Sequence, residues 1–272
     1  MAKNRITIAI ILFASVILLD YLGAIAWSLV ILCTALAAFF EFNKLCNNMG
    51  IFLVNRIIPF FISLFILTPL IFKNGFELEK VLVVQAISLL AAYTCIFPRI
   101  ILRATYTKFE DLTASLWAVF QLGLLPSFFV WVRLMDNGFG FTLISILSIA
   151  LNDSASMLGG KIFGKHKLST SISPGKTIEG SLIGLTVGSL TFVFLAKIFH
   201  LHFLNDYILV AIAIVFNILG QIGDLLVSAL KRAAGVKDSG TVLMSHGGIL
   251  DRIDSHIFAA WFAYFAFALS IK

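Results

Sequence analysis

Apolar stretches about as long as a bilayer is thick recur along almost the whole chain, near 6–19, 22–42, 57–72, 79–97, 112–132, 139–158, 180–199, 207–227 and 256–271. A membrane helix needs roughly 20 apolar residues, and as few as about 17 will do. The 272 residues are 60% hydrophobic and only 12% charged, whereas a soluble domain carries about 25% charge. A water-soluble fold is therefore excluded. The chain reads as an all-α, polytopic membrane helix bundle of about nine transmembrane helices. The first two runs would merge, but Asp20-Tyr21-Leu22-Gly23 splits them, because Asp is costly at membrane depth and Gly favours a turn.

Cations concentrate in cytoplasmic loops. With nine helices and a cytoplasmic N-terminus, only Lys73, Lys80, Arg133, Lys197 and Lys272 of the twenty Lys and Arg fall outside. Fusing the first two runs would put Lys3 and Arg5 opposite the other basic loops. Met1-Ala-Lys-Asn-Arg5 and the run after it resemble a signal peptide but lack a small-x-small cleavage site, and read as a retained first helix. Cys33, Cys46 and Cys95 have no metal spacing and predict no disulfide. The chemistry concentrates late: residues 1–110 read as transmembrane scaffold and 111–272 as the catalytic region.

Two polar segments interrupt the apolar pattern, 152–180 and 224–255, and both fall on the cytoplasmic side. Ionisable groups at membrane depth mark functional sites by default. Asp224, Ser228, Lys231 and Arg232 stand at i, i+4, i+7 and i+8, on one helical face. Asn217 and Gln221 extend that polar stripe inward. Asp251 and Asp254 share a face if a helix starts near them, and Gly247-Gly248 just ahead allow close backbone approach. With Asp224 they make an oxygen-rich site suited to Mg²⁺, which takes one or two carboxylates plus phosphates and waters.

The earlier segment carries Asn152-Asp153-Ser154, then Lys161, Lys165, His166 and Lys167, then Ser173-Pro174-Gly175-Lys176-Thr177-Ile-Glu179-Gly180. Pro174 suits a first helical position with Ser173 as N-cap, a helix start whose free amides and Lys176 suit a phosphate. The Gly-Lys-Thr triplet is not a P-loop: Thr170 stands where its first glycine belongs, and no preceding strand is expected. The basic loop also suits anionic headgroups. His200-x-His202 lies outside without partners, and Glu41 near Lys44 is assigned no role.

Ser228, Lys231-Arg232, Lys237-Asp238, His246-Gly247-Gly248 and Asp251-Arg252-Ile-Asp254 resemble, at matching spacing, the signature of the phosphatidate cytidylyltransferase (CDP-diacylglycerol synthase) family. Asp153, Gly160-Lys161, Gly164-Lys165 and the Ser173–Gly180 stretch resemble its middle motif. Two departures are Met244, where the family has Pro or Gly, and Ser156-Met157, where Ala-Tyr is common.

The resemblance implies transfer of CMP from CTP to phosphatidate, giving CDP-diacylglycerol and pyrophosphate. It implies Mg²⁺ as cofactor, alone or with a second cation, held by Asp224 and Asp251, with Asp254 and Asp153 as ligands or orienting partners. Lys176, Lys231, Arg232 and Lys237 would neutralise phosphate oxygens, and Ser173 and His246 would donate hydrogen bonds. Lys161, Lys165, Thr177, Ser228, Gly247, Gly248 and Arg252 complete the substrate-binding set it implies. The partners expected are CTP, phosphatidate, membrane lipids and a second copy in a homodimer, with no nucleic acid; the location expected is a bacterial inner membrane. The alternatives are an ion-coupled secondary transporter and a cytidylyltransferase for another phosphorylated lipid.

Overall fold

A computed structural model describes residues 14–54, 57–71, 78–101, 108–199, 205–242 and 247–270. After helical residues 14–21, the elements are α1 (Ala24–Asn48), α2 (Ile58–Ile71), α3 (Leu78–Ile101), α4 (Phe109–Val119), a π-helical turn (Phe120–Leu124), α5 (Leu125–Leu134), α6 (Gly138–Phe163), β1 (Lys167–Ser169), β2 (Ser173–Thr177), α7 (Ile178–Ile198), α8 (Asp206–Ala233) and α9 (Leu250–Ser270). Six helical stretches among the described residues are long and apolar enough to cross a membrane: Ala24–Asn48, Glu79–Pro98, Phe109–Leu134, Gly138–Phe163, Ile178–Ile198 and Asp206–Ala233. The expected all-α polytopic bundle is borne out. Met1–Arg5, His200, His202, Met244 and His246 lie outside the described residues. All three cysteines are free.

The break foreseen at Asp20–Gly23 is present. Gly23 adopts φ 113°, which a residue with a Cβ rarely tolerates. Asp20 is fully buried beside it. Its Oδ1 lies 2.8 Å from Arg133 Nε, its Oδ2 accepts from Thr142 Oγ1, and its carbonyl accepts from the Arg133 guanidinium at 3.0 and 3.1 Å. The turn is thus tied to α5 and α6. Burial pushes the Asp20 carboxyl up to about 6, against the opposing pull of Thr142 and Arg133.

The folded state therefore holds this proton at pH values where an unfolded Asp, of pKa about 3.9, has lost it. That contribution to stability is full below about pH 4 and fades as pH rises through about 6. Melting curves of detergent-solubilised protein should show a falling segment over that window, and Asp20→Asn should flatten it.

The stretch α4–π turn–α5 runs through the middle of the bundle and is mostly buried. Pro126, in the first turn of α5, has no N–H to continue the ladder, and the π turn falls just before it. Gly123 in that turn lets α2 approach: a Cβ there would sit 3.2 Å from the Ile62 backbone and the Phe65 ring. An aromatic stack joins three further helices. Phe267 of α9 stacks on Phe141 of α6 at 4.2 Å between centroids and on Phe192 of α7 at 5.9 Å.

The pair α6–α7 is packed most intimately. Gly180, Gly184 and Gly188 recur every four residues along one face of α7, a spacing that lets helix backbones approach closely in a membrane. A Cβ at Gly184 would overlap Ser156 Oγ and the Asn152 carbonyl, and one at Gly188 would overlap the Asn217 side chain. Buried amides then lock α8 to the pair. Asn152 Nδ2 donates to Asn217 Oδ1 (3.0 Å), Gln221 Nε2 donates to Asn152 Oδ1 (2.8 Å), and Asn217 Nδ2 donates to Ser148 Oγ (2.9 Å). The polar stripe foreseen on α8 is thus satisfied inside the bundle. Because helices alternate in direction, the C-terminal ends of α6 and α8 and the N-terminal ends of α7 and α9 meet at one end of the bundle.

Candidate active site

The connection from α6 to α7 departs from expectation. Ser173–Thr177 is a β-strand, paired antiparallel with Lys167–Ser169 in the register Lys167↔Thr177 and Ser169↔Ser173. The helix starts at Ile178, not at Pro174, and its N-cap is Thr177, whose Oγ1 accepts from Gly180 N at 3.1 Å. Ser173 is therefore a strand residue and caps nothing. The cause is Glu179, whose carboxylate accepts from Lys165 N (3.1 Å) and His166 N (3.2 Å) and contacts His166 Nδ1 at 2.6 Å. Folding the basic loop back onto the first turn of α7 leaves 167–177 free to form a hairpin. A strand does precede Gly175-Lys176-Thr177, contrary to expectation, but Thr170 still excludes a P-loop.

The hairpin aims Lys176 at α8. Its Nζ forms an ion pair with Asp224 Oδ2. Four residues further on, the Ser228 hydroxyl lies 3.4 Å from Asp224 Oδ1. In the last turn of α8, where cations suit the helix dipole, Lys231 Nζ pairs with Asp251 Oδ1 at 2.6 Å, both side chains about nine-tenths buried. Arg232 points the other way: its Nε donates to the Ile172 carbonyl at the hairpin tip and its Nη1 to the Val236 carbonyl, both at 3.0 Å. It fastens the hairpin to the end of α8.

The start of α9 completes the arrangement. Asp251 Oδ2 accepts from Ser239 N (2.9 Å) and Gly248 N (3.0 Å). Asp254, 4% exposed, accepts from Ser255 N at 2.7 Å and lies in the fields of Asp224, Asp153 and Lys231. Asp153 in turn feels Asp224, Lys176 and Arg252. The result is one connected cluster, Lys176–Asp224–Asp153–Asp254–Lys231–Asp251, assembled from β2 and the ends of α6, α8 and α9.

A cleft of about 400 Å³ opens beside it, walled by Asp153, Lys161, Lys176, Thr177, Gln221 and Asp224. That volume falls within the range of small-molecule sites, roughly 300–1,000 Å³. Met157 and Leu168 line its apolar part. The exposed side chains of Met157, Leu158, Ile162 and Leu182 cover the neighbouring outer surface of α6 and α7. Lys161 is thus brought to the cleft. Lys165 and Lys237 are exposed, and Lys165 meets the site only through its backbone bond to Glu179. Gly247 has φ 80°, a conformation its lack of a Cβ permits.

Among the described residues, no three His, Cys, Asp or Glu side chains converge as a ready metal cage. Mg²⁺ does not require one, since one or two carboxylates plus substrate phosphates suffice. Asp224 and Asp251 each already hold an ammonium, from Lys176 and Lys231, so both positions accommodate a cation. The donor set fits a divalent ion shared with a polyphosphate. Glu41 is the residue that sequence reasoning passed over. Its carboxylate reaches into this site from α1, accepting from Ser239 Oγ (2.7 Å), Ile249 N and Leu250 N (both 2.9 Å). Its one sequence signal is a carboxylate placed within an apolar run.

Comparisons with known proteins place the chain in a family. The model of the cytidylyltransferase family matches residues 3–270. A phosphatidate cytidylyltransferase of Staphylococcus aureus (strain COL) is 39% identical over 177 residues, 65% of this chain and 66% of that protein. One from Staphylococcus epidermidis (strain ATCC 35984) is 37% identical over 180 residues, 66% of this chain and 68% of the relative. One from Staphylococcus haemolyticus (strain JCSC1435) is 38% identical over 176 residues, 64% and 66% of the two chains. The match thus spans about two thirds of the length of these relatives. That family model covers nearly the whole chain, and on this match the chain belongs to the cytidylyltransferase family.

Proposed function

We propose that this chain transfers CMP from CTP to phosphatidate, forming CDP-diacylglycerol and pyrophosphate in phospholipid synthesis. The observation that carries the reading is the acid–lysine cluster at one end of a membrane bundle, beside a cleft with both polar and apolar walls. A phosphatidate oxygen attacks the α-phosphorus of CTP, a new P–O bond forms, and the bond to the β-phosphate oxygen breaks. Pyrophosphate leaves with that electron pair. The attacking phosphate is already anionic, so little proton transfer is needed and the protein's contribution is positioning and charge neutralisation.

Lys176 and Lys231 are placed to exchange their carboxylate partners for phosphate oxygens. Arg232 keeps the hairpin bearing Lys176 in place. Lys161 and Arg252 add positive charge at the cleft and near Asp153, while Lys237, Lys165, Ser173, Ser228, Gly247, Gly248 and His246 belong to the proposed substrate-binding set. Asp224 and Asp251 would hold Mg²⁺, with Asp254 and Asp153 beside them, and the ion would supply charge neutralisation on the phosphates. The bundle would cross a bacterial inner membrane about nine times with its N-terminus and active site in the cytoplasm, the arrangement that best satisfies the cation distribution. A homodimer is part of the proposal.

In detergent, CTP with phosphatidate and Mg²⁺ should release pyrophosphate stoichiometric with CDP-diacylglycerol, and EDTA should stop release reversibly. Turnover confined to a different phosphorylated lipid would replace phosphatidate as acceptor. Ion-driven uptake in liposomes with no nucleotide turnover would overturn the reading.

A further inference from the structure

The N-terminal half contributes a side chain to this site. Glu41 lies in the last two turns of α1, 198 to 209 positions before its partners, and is 5% exposed. The first amides of a helix have no partner within it. At the start of α9, Glu41 takes two amides of this kind, Ile249 N just ahead of the helix and Leu250 N at its first position.

The adjacent donors go to Asp251 instead: Ser239 N and Gly248 N end on its Oδ2. Between the two carboxylates stands the Ser239 hydroxyl, 2.7 Å from Glu41 Oε2 and 3.0 Å from Asp251 Oδ2. It has one proton and donates to one of them at a time. Small residues leave room for the Glu41 carboxylate, since a Cβ at either Gly240 or Gly248 would overlap it.

We infer that Glu41 is a positioning residue for the reaction. It pins the connection from α8 to α9 at two points, Ser239 within it and Ile249–Leu250 at its far end, and so fixes where Asp251 meets Lys231. The inference rests on the proposed function for its kinetic readout. A misplacement of about 1 Å remote from the chemistry is enough to lower turnover on the order of 10²-fold. Glu41 touches neither the hairpin nor the cleft, so nucleotide capture through Lys176 is left intact.

Glu41→Gln keeps the shape but puts an NH₂ group where one oxygen receives donors. Its kcat should fall on the order of 10²-fold with KM for CTP nearly unchanged, and the melting temperature should stay within a few degrees. Hydrogen exchange at the amides of Ile249 and Leu250 should accelerate. Gly240→Ala, which leaves Glu41 in the chain and displaces only its carboxylate, should lower kcat in the same direction, and it decides the matter if Glu41→Gln does not fold. Wild-type kcat with unchanged exchange overturns the inference. So does a loss of folded protein with full kcat per folded molecule, which would make Glu41 an anchor only. An inactive wild-type protein would count against the proposed reaction alone, while the exchange measurement would still test the loop.

Discussion

Asp224→Asn should lower CTP-dependent turnover by about 10²–10³-fold or more, equivalent to about 3–4 kcal/mol of transition-state stabilisation. The substitution preserves size and leaves the Ser228 contact possible, but it removes the charge that holds Lys176 on the hairpin. It also removes the acid that Asp153 and Asp254 both face. If Asp224 shares a divalent ion with the triphosphate, the Mg²⁺ concentration for half-maximal activity should rise as well. Asp251→Asn should lose turnover to a similar degree, because Oδ1 holds Lys231 and Oδ2 receives two loop amides. Both variants should insert into membranes and elute from size exclusion as the wild type does. Full CTP-dependent activity in either, measured as pyrophosphate release, would sink its assignment.

The second large effect is on stability. Gly184→Leu should destabilise the protein by about 3 kcal/mol or more, the upper range for overpacking a well-packed contact. At this position α7 presses on α6 so closely that even a methyl would overlap Ser156 and the Asn152 carbonyl. Pushing the helices apart also strains the bonds from Asn152 to Asn217 and Gln221, leaving buried amides unpaired at about 1–3 kcal/mol each. The measurements are melting temperature in detergent and yield of folded protein. Gly175→Ala is the control: a Cβ there meets nothing within 4 Å, and its stability should stay within about 0.5 kcal/mol of wild type.

The legible parts of this site share a physical basis. Asp224, Ser228 and Lys231 are legible as one face because they sit on one continuous helix, where spacing alone decides which side chains share a face. Asn217 and Gln221 were legible for the same reason. The hairpin was not. Strands of three and five residues show no useful alternation, and Pro174 and Gly175 are residues that strands disfavour. Its formation depends on Glu179 capturing Lys165 N and His166 N, a contact thirteen to fourteen residues apart with no periodic signature. Arg232 illustrates the same limit. Spacing put it beside Lys231, but one residue further round the helix its guanidinium meets two backbone carbonyls rather than an acid.

By itself the sequence determined that this protein is a helical membrane bundle, because apolar length and charge scarcity act locally and leave no other place for such segments. It also singled out Lys176, Asp224, Lys231 and Asp251 as candidates, since acids and lysines at membrane depth are too costly to be incidental, but it gave Glu41 no role. Only the tertiary structure decided the pairings, Lys176 with Asp224 and Lys231 with Asp251, and the entry of Glu41 from the opposite half of the chain. Ion pairs and capping bonds between distant segments depend on how helix ends meet in space. That meeting is set by the glycine seam and the aromatic stack, whose partners no residue spacing specifies.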